Sequence, residues 1–139
     1  MEVMQFPTKE IVDISLALTA FGLLHFTTAQ RKWIKERDDY QCQCPECTGH
    51  GGSLYVHHIV PDTLARYEGF EADSPLNGIT LCQSHHDKIH KVGNKAFETE
   101  RGMVVWGAFW LQELAGRAFE NSRLAFAQGK KFPQKKASI

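Results

Sequence analysis

All four cysteines of this chain and six of its seven histidines fall between residues 42 and 90, in an order that sorts them into two kinds of ligand set. Thiolates joined by a histidine at short spacing make closed tetrahedral zinc sites, whereas a smaller set of histidines leaves coordination positions open for water or substrate. Any fold this chain adopts must bring those segments together.

Cys44 and Cys47 form a C-x-x-C knuckle with Pro45 inside it, and Cys82 and His85 repeat the spacing within LCQSHH. Two such half-sites on separate elements deliver two ligands each, which predicts a structural Zn2+ held by Cys44, Cys47, Cys82 and His85. Cys42 either replaces His85 in an all-cysteine site or stays a free thiol. The competing reading is four thiols buried in an ordinary apolar core. Two matched half-sites on either side of a histidine-rich strand speak against it. The metal clamps the segment before that strand onto the last helix of the motif and adds folding free energy outright.

A length of 139 residues fits one domain with a modest core that a metal staple would help stabilise. Lysine plus arginine equal aspartate plus glutamate at 16 each, so no strong overall basic field is present. The basic charge is concentrated in the tail, where Arg123, Lys130, Lys131, Lys135 and Lys136 face Glu120 alone. No segment resembles a signal peptide, so reduced, metal-holding thiols in a cytoplasmic setting, a bacterial or phage-infected cell, are expected rather than disulfides. The apolar stretch Ile11 to Phe26 is broken by Asp13, Ser15, Thr19, Gly22 and His25, which argues against a membrane span.

Thr8 is placed to cap a helix through Leu24, although Val12, Ile14, Leu16 and Leu18 also alternate as in a strand. Thr27 and Gln30 read as a capping box opening a helix with Trp33 and Ile34 inside and Arg31, Lys32, Lys35 and Arg37 on the wet side. That helix should stop near Asp38 or Asp39. Tyr40 to Gly52 reads as a turn shaped by ligands. Strands are expected from Leu54 into His57 and His58 and over Gly78 to Leu81, with a polar excursion between them from Pro61 to Leu76. A helix follows over Ser84 to Val92. Met103, Trp106, Phe109, Trp110, Leu114 and Phe119 recur at helical spacing until Gly129 and Pro133.

Adjacent strand residues point to opposite faces, so His57 and His58 cannot share one job. One is suited to a metal and its neighbour to an attacking water. His86 and His90, four apart on a helix, project from one face and can address a cation between helix and strand. Taken singly, each has a plainer reading: a hydrogen-bonded strand histidine, a turn asparagine at Asn77, or further zinc ligands.

The order Tyr-x-Cys, VHHIVP and NGITLCQSHH-x3-His resembles the HNH endonuclease family over roughly Arg37 to Lys91. The resemblance implies an α+β fold with a ββα-metal core, structural zinc knuckles and flanking N-terminal and C-terminal helices. It also implies a metal-dependent DNA endonuclease leaving 5′ phosphate and 3′ hydroxyl ends. Within it His58 is the general base, His57 and His86 hold the catalytic divalent cation (magnesium, manganese, nickel or zinc), and Asn77 orients the base or its loop. His90 is a third ligand or a phosphate contact, most similar to the colicin-type nucleases. The chain departs from the family pattern at CQC, where the first knuckle sits two residues late, and at His85, where relatives carry cysteine.

The resulting organisation is an N-terminal helical flank (1–36), the ββα-metal core (37–93), a C-terminal helical extension (94–129) and a basic tail (130–139). His25 is expected to be structural and His50 a loop residue. Lys88, Lys91, Lys130 and Lys131 are expected phosphate contacts, the tail otherwise being a solvated end. Double-stranded DNA is the expected partner, with RNA open, and a homodimer through the C-terminal helix would let one active site per copy cut both strands; the aromatic stripe there otherwise packs a core. Restriction, homing of a mobile element, phage genome processing and defence all fit such an enzyme. The rival from another class is a non-catalytic zinc module that only binds nucleic acid or protein.

Overall fold

The computed structural model describes residues 26–45, 47, 52–60, 73–93 and 95–135. The helix expected from Thr8 to Leu24, His25, His50, Lys136 and most of the Pro61 to Leu76 excursion lie outside the described residues. An antiparallel pair, β1 (Leu54–His58) and β2 (Gly78–Cys82), leads directly into helix α2 (Gln83–Val92). Helix α1 (Thr28–Arg37) precedes the pair, and a hairpin of β3 (Ala96–Glu98) with β4 (Val104–Trp106) leads into the long helix α3 (Gly107–Ala127). The fold is α+β, with the helices around a small central sheet.

The register of the central pair sets the two faces. His57 lies opposite Ile79 and Tyr55 opposite Leu81, whereas His58 lies opposite Gly78 and Val56 opposite Thr80. Cross-strand partners share a face, so His57 and His58 look in opposite directions. α2 and α1 both pack on this pair. Ile79 and Leu81 join Ile89, Trp110, Leu114 and Ala118 in one apolar cluster, while Val56 packs against a second built from Phe26, Trp33, Ile34 and Ala125.

α1 starts as the capping box predicts: Thr27 Oγ1 accepts from Gln30 N at 3.0 Å and Gln30 Oε1 accepts from Thr27 N at 2.9 Å. It ends at Asp38, after which Asp39 (φ 55°) and Tyr40 (φ 53°) occupy the left-handed region. That conformation is tolerable for aspartate and costly for tyrosine, and it turns the chain so that Gln43 N donates to Thr80 O at 2.9 Å. The segment carrying Cys42 and Cys44 is thereby laid alongside β2.

Arg37 was expected on the wet side of α1 and is instead buried. Its guanidinium grips the Asp38 carboxylate through two bonds of 2.8 and 2.9 Å and donates to Pro75 O, Gly78 O and Ser122 Oγ. Asp38 also accepts from Thr80 N and Asn121 Nδ2. A charge is tolerated in a core when it is paired and its remaining donors are all used, as here. The pair locks α1, β2, α3 and the turn before β2 together.

The last third departs from the helical reading as well. Met103 and Trp106 belong to the hairpin segment, and α3 begins only at Gly107. Trp110, Leu114, Ala118, Ser122 and Ala125 form its buried stripe, while Trp106, Phe109 and Phe119 are more than half exposed. The tail does not run free: Phe132 meets the edge of Trp33 at 5.1 Å, Pro133 O accepts from Gln30 Nε2 at 3.0 Å, and Lys135 pairs with Asp73.

Candidate metal centre

β1 and α2 together build a cluster of three imidazoles. His57 projects from β1 toward α2, where His86 and His90 stand one turn apart, and one ring nitrogen from each lies within 4.8 Å of the others. The His57 ring stands edge-on to both partners, at 5.7 and 5.3 Å between centroids, and the Nε2 atoms of His86 and His90 are 3.2 Å apart. Tyr55 stacks on His86 at 5.0 Å. His57 Nε2 is buried with no hydrogen-bond partner among the described residues.

A buried ring nitrogen without a partner is costly unless something coordinates it. Burial, reinforced by His90, His86 and His58, pushes the pKa of His57 down to about 3. Burial and His90 also lower that of His86, against the opposing pull of Asp87. These two imidazoles are therefore held neutral, the form that offers a lone pair to a metal. Three nitrogen donors with one side toward solvent fit a divalent ion that keeps positions open.

His58 occupies the other face. Its ring lies flat on Phe26, with centroids 4.3 Å apart and planes 9° apart, and its Nε2 is 2.9 Å from Asp73 Oδ1. Gly78 makes room for this stack: a Cβ there would sit 2.9 Å from the Phe26 ring and 2.6 Å from Ile34 Cδ1. Asn77 holds the chain just beyond. Its side chain accepts from Val60 N at 2.8 Å and donates to Val60 O at 3.1 Å, and its own carbonyl accepts from Ile59 N at 2.8 Å. Three bonds thus fix the exit of β1 where His58 sits.

The second cluster lies at the start of α2. Cys42, Cys47, Cys82 and His85 bring one donor atom each within 4.8 Å of one another. His85 Nδ1 is 3.1 Å from Cys82 Sγ and 3.7 Å from Cys42 Sγ. Tetrahedral zinc bonds of about 2.3 Å to sulfur and 2.0–2.1 Å to nitrogen would set such pairs roughly 3.6 Å apart, so the donor set fits zinc. Burial pushes the Cys42 thiol up to about 12, with Cys82 and Cys47 adding to it, and a bound metal would displace that proton.

The donor atoms that lie together differ from the ligand set expected from spacing. Cys42 takes the place assigned to Cys44, which is buried in the apolar cluster with Ile79 and Leu81. The cause is the backbone course: with Gln43 paired to Thr80, it is the main chain of Cys44, together with that of Cys82, that hydrogen-bonds the Cys42 thiol. The turn from Cys44 O to Cys47 N then brings Cys47 back to the cluster.

Of the expected phosphate contacts, Lys91, Lys130 and Lys131 are exposed, whereas the Lys88 ammonium lies over the rings of Phe97 and Trp110 at 5.4 and 6.0 Å. Asp73 was missed. It lies in a polar loop at no motif spacing, and the only local hint was an acidic residue shortly before Asn77.

The HNH endonuclease family model matches residues 36–91, the span that contains both clusters, Asn77 and His58. Those residues are an HNH domain. No curated protein and no solved structure matches the chain significantly. HNH domains are nuclease modules that act on nucleic acid with a divalent metal, and this one carries two donor clusters able to hold metal. Among the described residues no helix is long and apolar enough to cross a membrane.

Proposed function

We propose that the chain is a metal-dependent DNA endonuclease that hydrolyses phosphodiester bonds with His58 as general base. The observation that supports this most strongly is the division between neighbours: His57 turns into a cluster of three imidazoles while His58 turns out of it, fixed by Phe26 and Asp73. His57, His86 and His90 would hold the cation. When bound, such an ion supplies positive charge to the scissile phosphate and the departing 3′ oxygen.

Nε2 of His58 is engaged by Asp73, so its Nδ1 takes the proton of the attacking water. The water oxygen forms the new bond to phosphorus, the bond to the 3′ oxygen breaks, and that oxygen takes a proton from solvent water to leave as a hydroxyl. Asn77 keeps the strand exit, and with it His58, in place. Cys42, Cys47, Cys82 and His85 would hold a structural zinc, which would staple the segment after α1 to the start of α2. The exposed Trp106 and Phe109 offer a surface for a second copy, as cutting both strands of a duplex requires; light scattering at micromolar concentration should return a dimer, and a monomer removes that part.

Purified protein should nick supercoiled plasmid when magnesium, manganese, nickel or zinc is added. A wild type inert with every metal would instead make this a binding module. RNA offered in place of plasmid tests the choice of substrate.

A further inference from the structure

The C-terminal segment after α3 packs on α1 and meets Asp73 beside His58. Phe132 seats on Trp33, Pro133 O takes a hydrogen bond from Gln30, and Lys135 then meets Asp73 Oδ2. The other carboxylate oxygen, Oδ1, is the one bonded to His58 Nε2. The side chains of His58 and Asp73 are 16% and 11% exposed, and that of Lys135 is 33% exposed, so the chain of contacts runs from a half-open lysine to a sheltered imidazole.

We infer that Asp73 is the positioning residue of the general base and that residues 132–135 act as a strap holding Asp73 in register. This rests on the nuclease reading of His58. An ionised carboxylate only accepts, so its bond to Nε2 places the ring proton there and leaves the Nδ1 lone pair for the water proton. When Nδ1 takes that proton the imidazole becomes a cation beside Asp73, which stabilises it without itself gaining a proton. Lys135, by occupying Oδ2, fixes the rotation of the carboxylate so that Oδ1 faces His58. Phe26 restrains the ring plane and Asp73 its edge. Lys135 was expected to belong to a solvated end; it pairs with Asp73 instead.

The two roles give opposite kinetics. A positioning role predicts that Asp73→Ala lowers kcat on plasmid about 100-fold with KM unchanged, since misplacing a reacting group by an ångström costs that much. Lys135→Met should lower kcat roughly fivefold, the size of a partly exposed ion pair, and Lys135→Arg should restore it. A phosphate contact would instead raise KM and reduce its salt dependence at constant kcat.

An activity-independent signature accompanies this. In the 15N-labelled full chain, His58 should show an exchange-protected Nε2 proton that disappears in Asp73→Ala. An Asp73→Ala protein with wild-type kcat, or a wild type without the protected proton, overturns the inference even where the wild type cleaves. A wild type that shows the proton but cleaves nothing with any metal overturns the nuclease reading, leaving the Asp73–His58 pair as structure alone.

Discussion

His85 and His86 are neighbours on α2, yet one belongs to a closed cluster and the other to an open one. His85 is 1% exposed and sits among three thiols with its donor atom within 3.1 to 3.7 Å of two of them. The side chain of His86 is 25% exposed and shares its cluster with only two other imidazoles. Consecutive helical residues point about 100° apart, so a single helix serves a buried staple on one side and a partly open centre on the other. On the proposed reading, burial and ligand count, rather than residue type, separate the histidine that fastens the fold from the one that serves the reaction.

Breaking the closed cluster should have the largest effect. Structural zinc in small units supplies on the order of 10 kcal/mol, so Cys42→Ser is expected to lose bound zinc and unfold. Cys44→Ser should keep its zinc and lose roughly 1 kcal/mol from a buried thiol. Zinc content and urea midpoints of the two proteins check this directly. Equal loss of zinc in both would restore the ligand set first expected from spacing.

A smaller effect should come from the loop that serves the open side. Asn77→Ala removes both side-chain bonds to Val60, costing about 2 kcal/mol of stability and a larger share of plasmid cleavage. Thermal melting together with kcat separates the two. Cleavage at the wild-type rate with a lowered melting point would reduce Asn77 to a turn residue.

The mildest test uses acid. His57 is neutral when folded, with its pKa lowered to about 3, but ionises near 6.5 when unfolded, so unfolding takes up a proton in this range. Its contribution is present above pH 6.5 and is lost as pH falls toward 3, by an amount on the order of a few kcal/mol. His86, lowered too, acts with the same sign. Without added divalent cation, urea midpoints should fall between pH 7 and pH 5, and His57→Gln should flatten the slope. An unchanged slope would mean that the ring is not held neutral by burial.

How much could be read beforehand follows the range of the interactions. The order of strand, strand and helix and the His57, His86 and His90 group were legible because ligand spacing and period are local properties. The capping box at Thr27 was legible for the same reason. Cys42 and Cys44 could not be told apart, since the choice depends on Gln43 pairing with Thr80 across the fold. Arg37 looked solvated because its partners Pro75, Gly78 and Ser122 lie far along the chain. The hairpin of β3 and β4 hid behind aromatic spacing that matched a helix, its strands being only three residues each. Asp73 and Lys135, separated by 62 positions, meet only after the tail has folded back.

The division of labour between His57 and His58 is tested most directly by titrating manganese into His57→Ala and His58→Ala while measuring plasmid cleavage. His57→Ala should lose both metal affinity and cleavage, whereas His58→Ala should keep wild-type metal affinity and lose about 100- to 10,000-fold in rate, the contribution of a general base. If His58→Ala loses the metal as fully as His57→Ala, or cleaves as fast as the wild type, the account is contradicted.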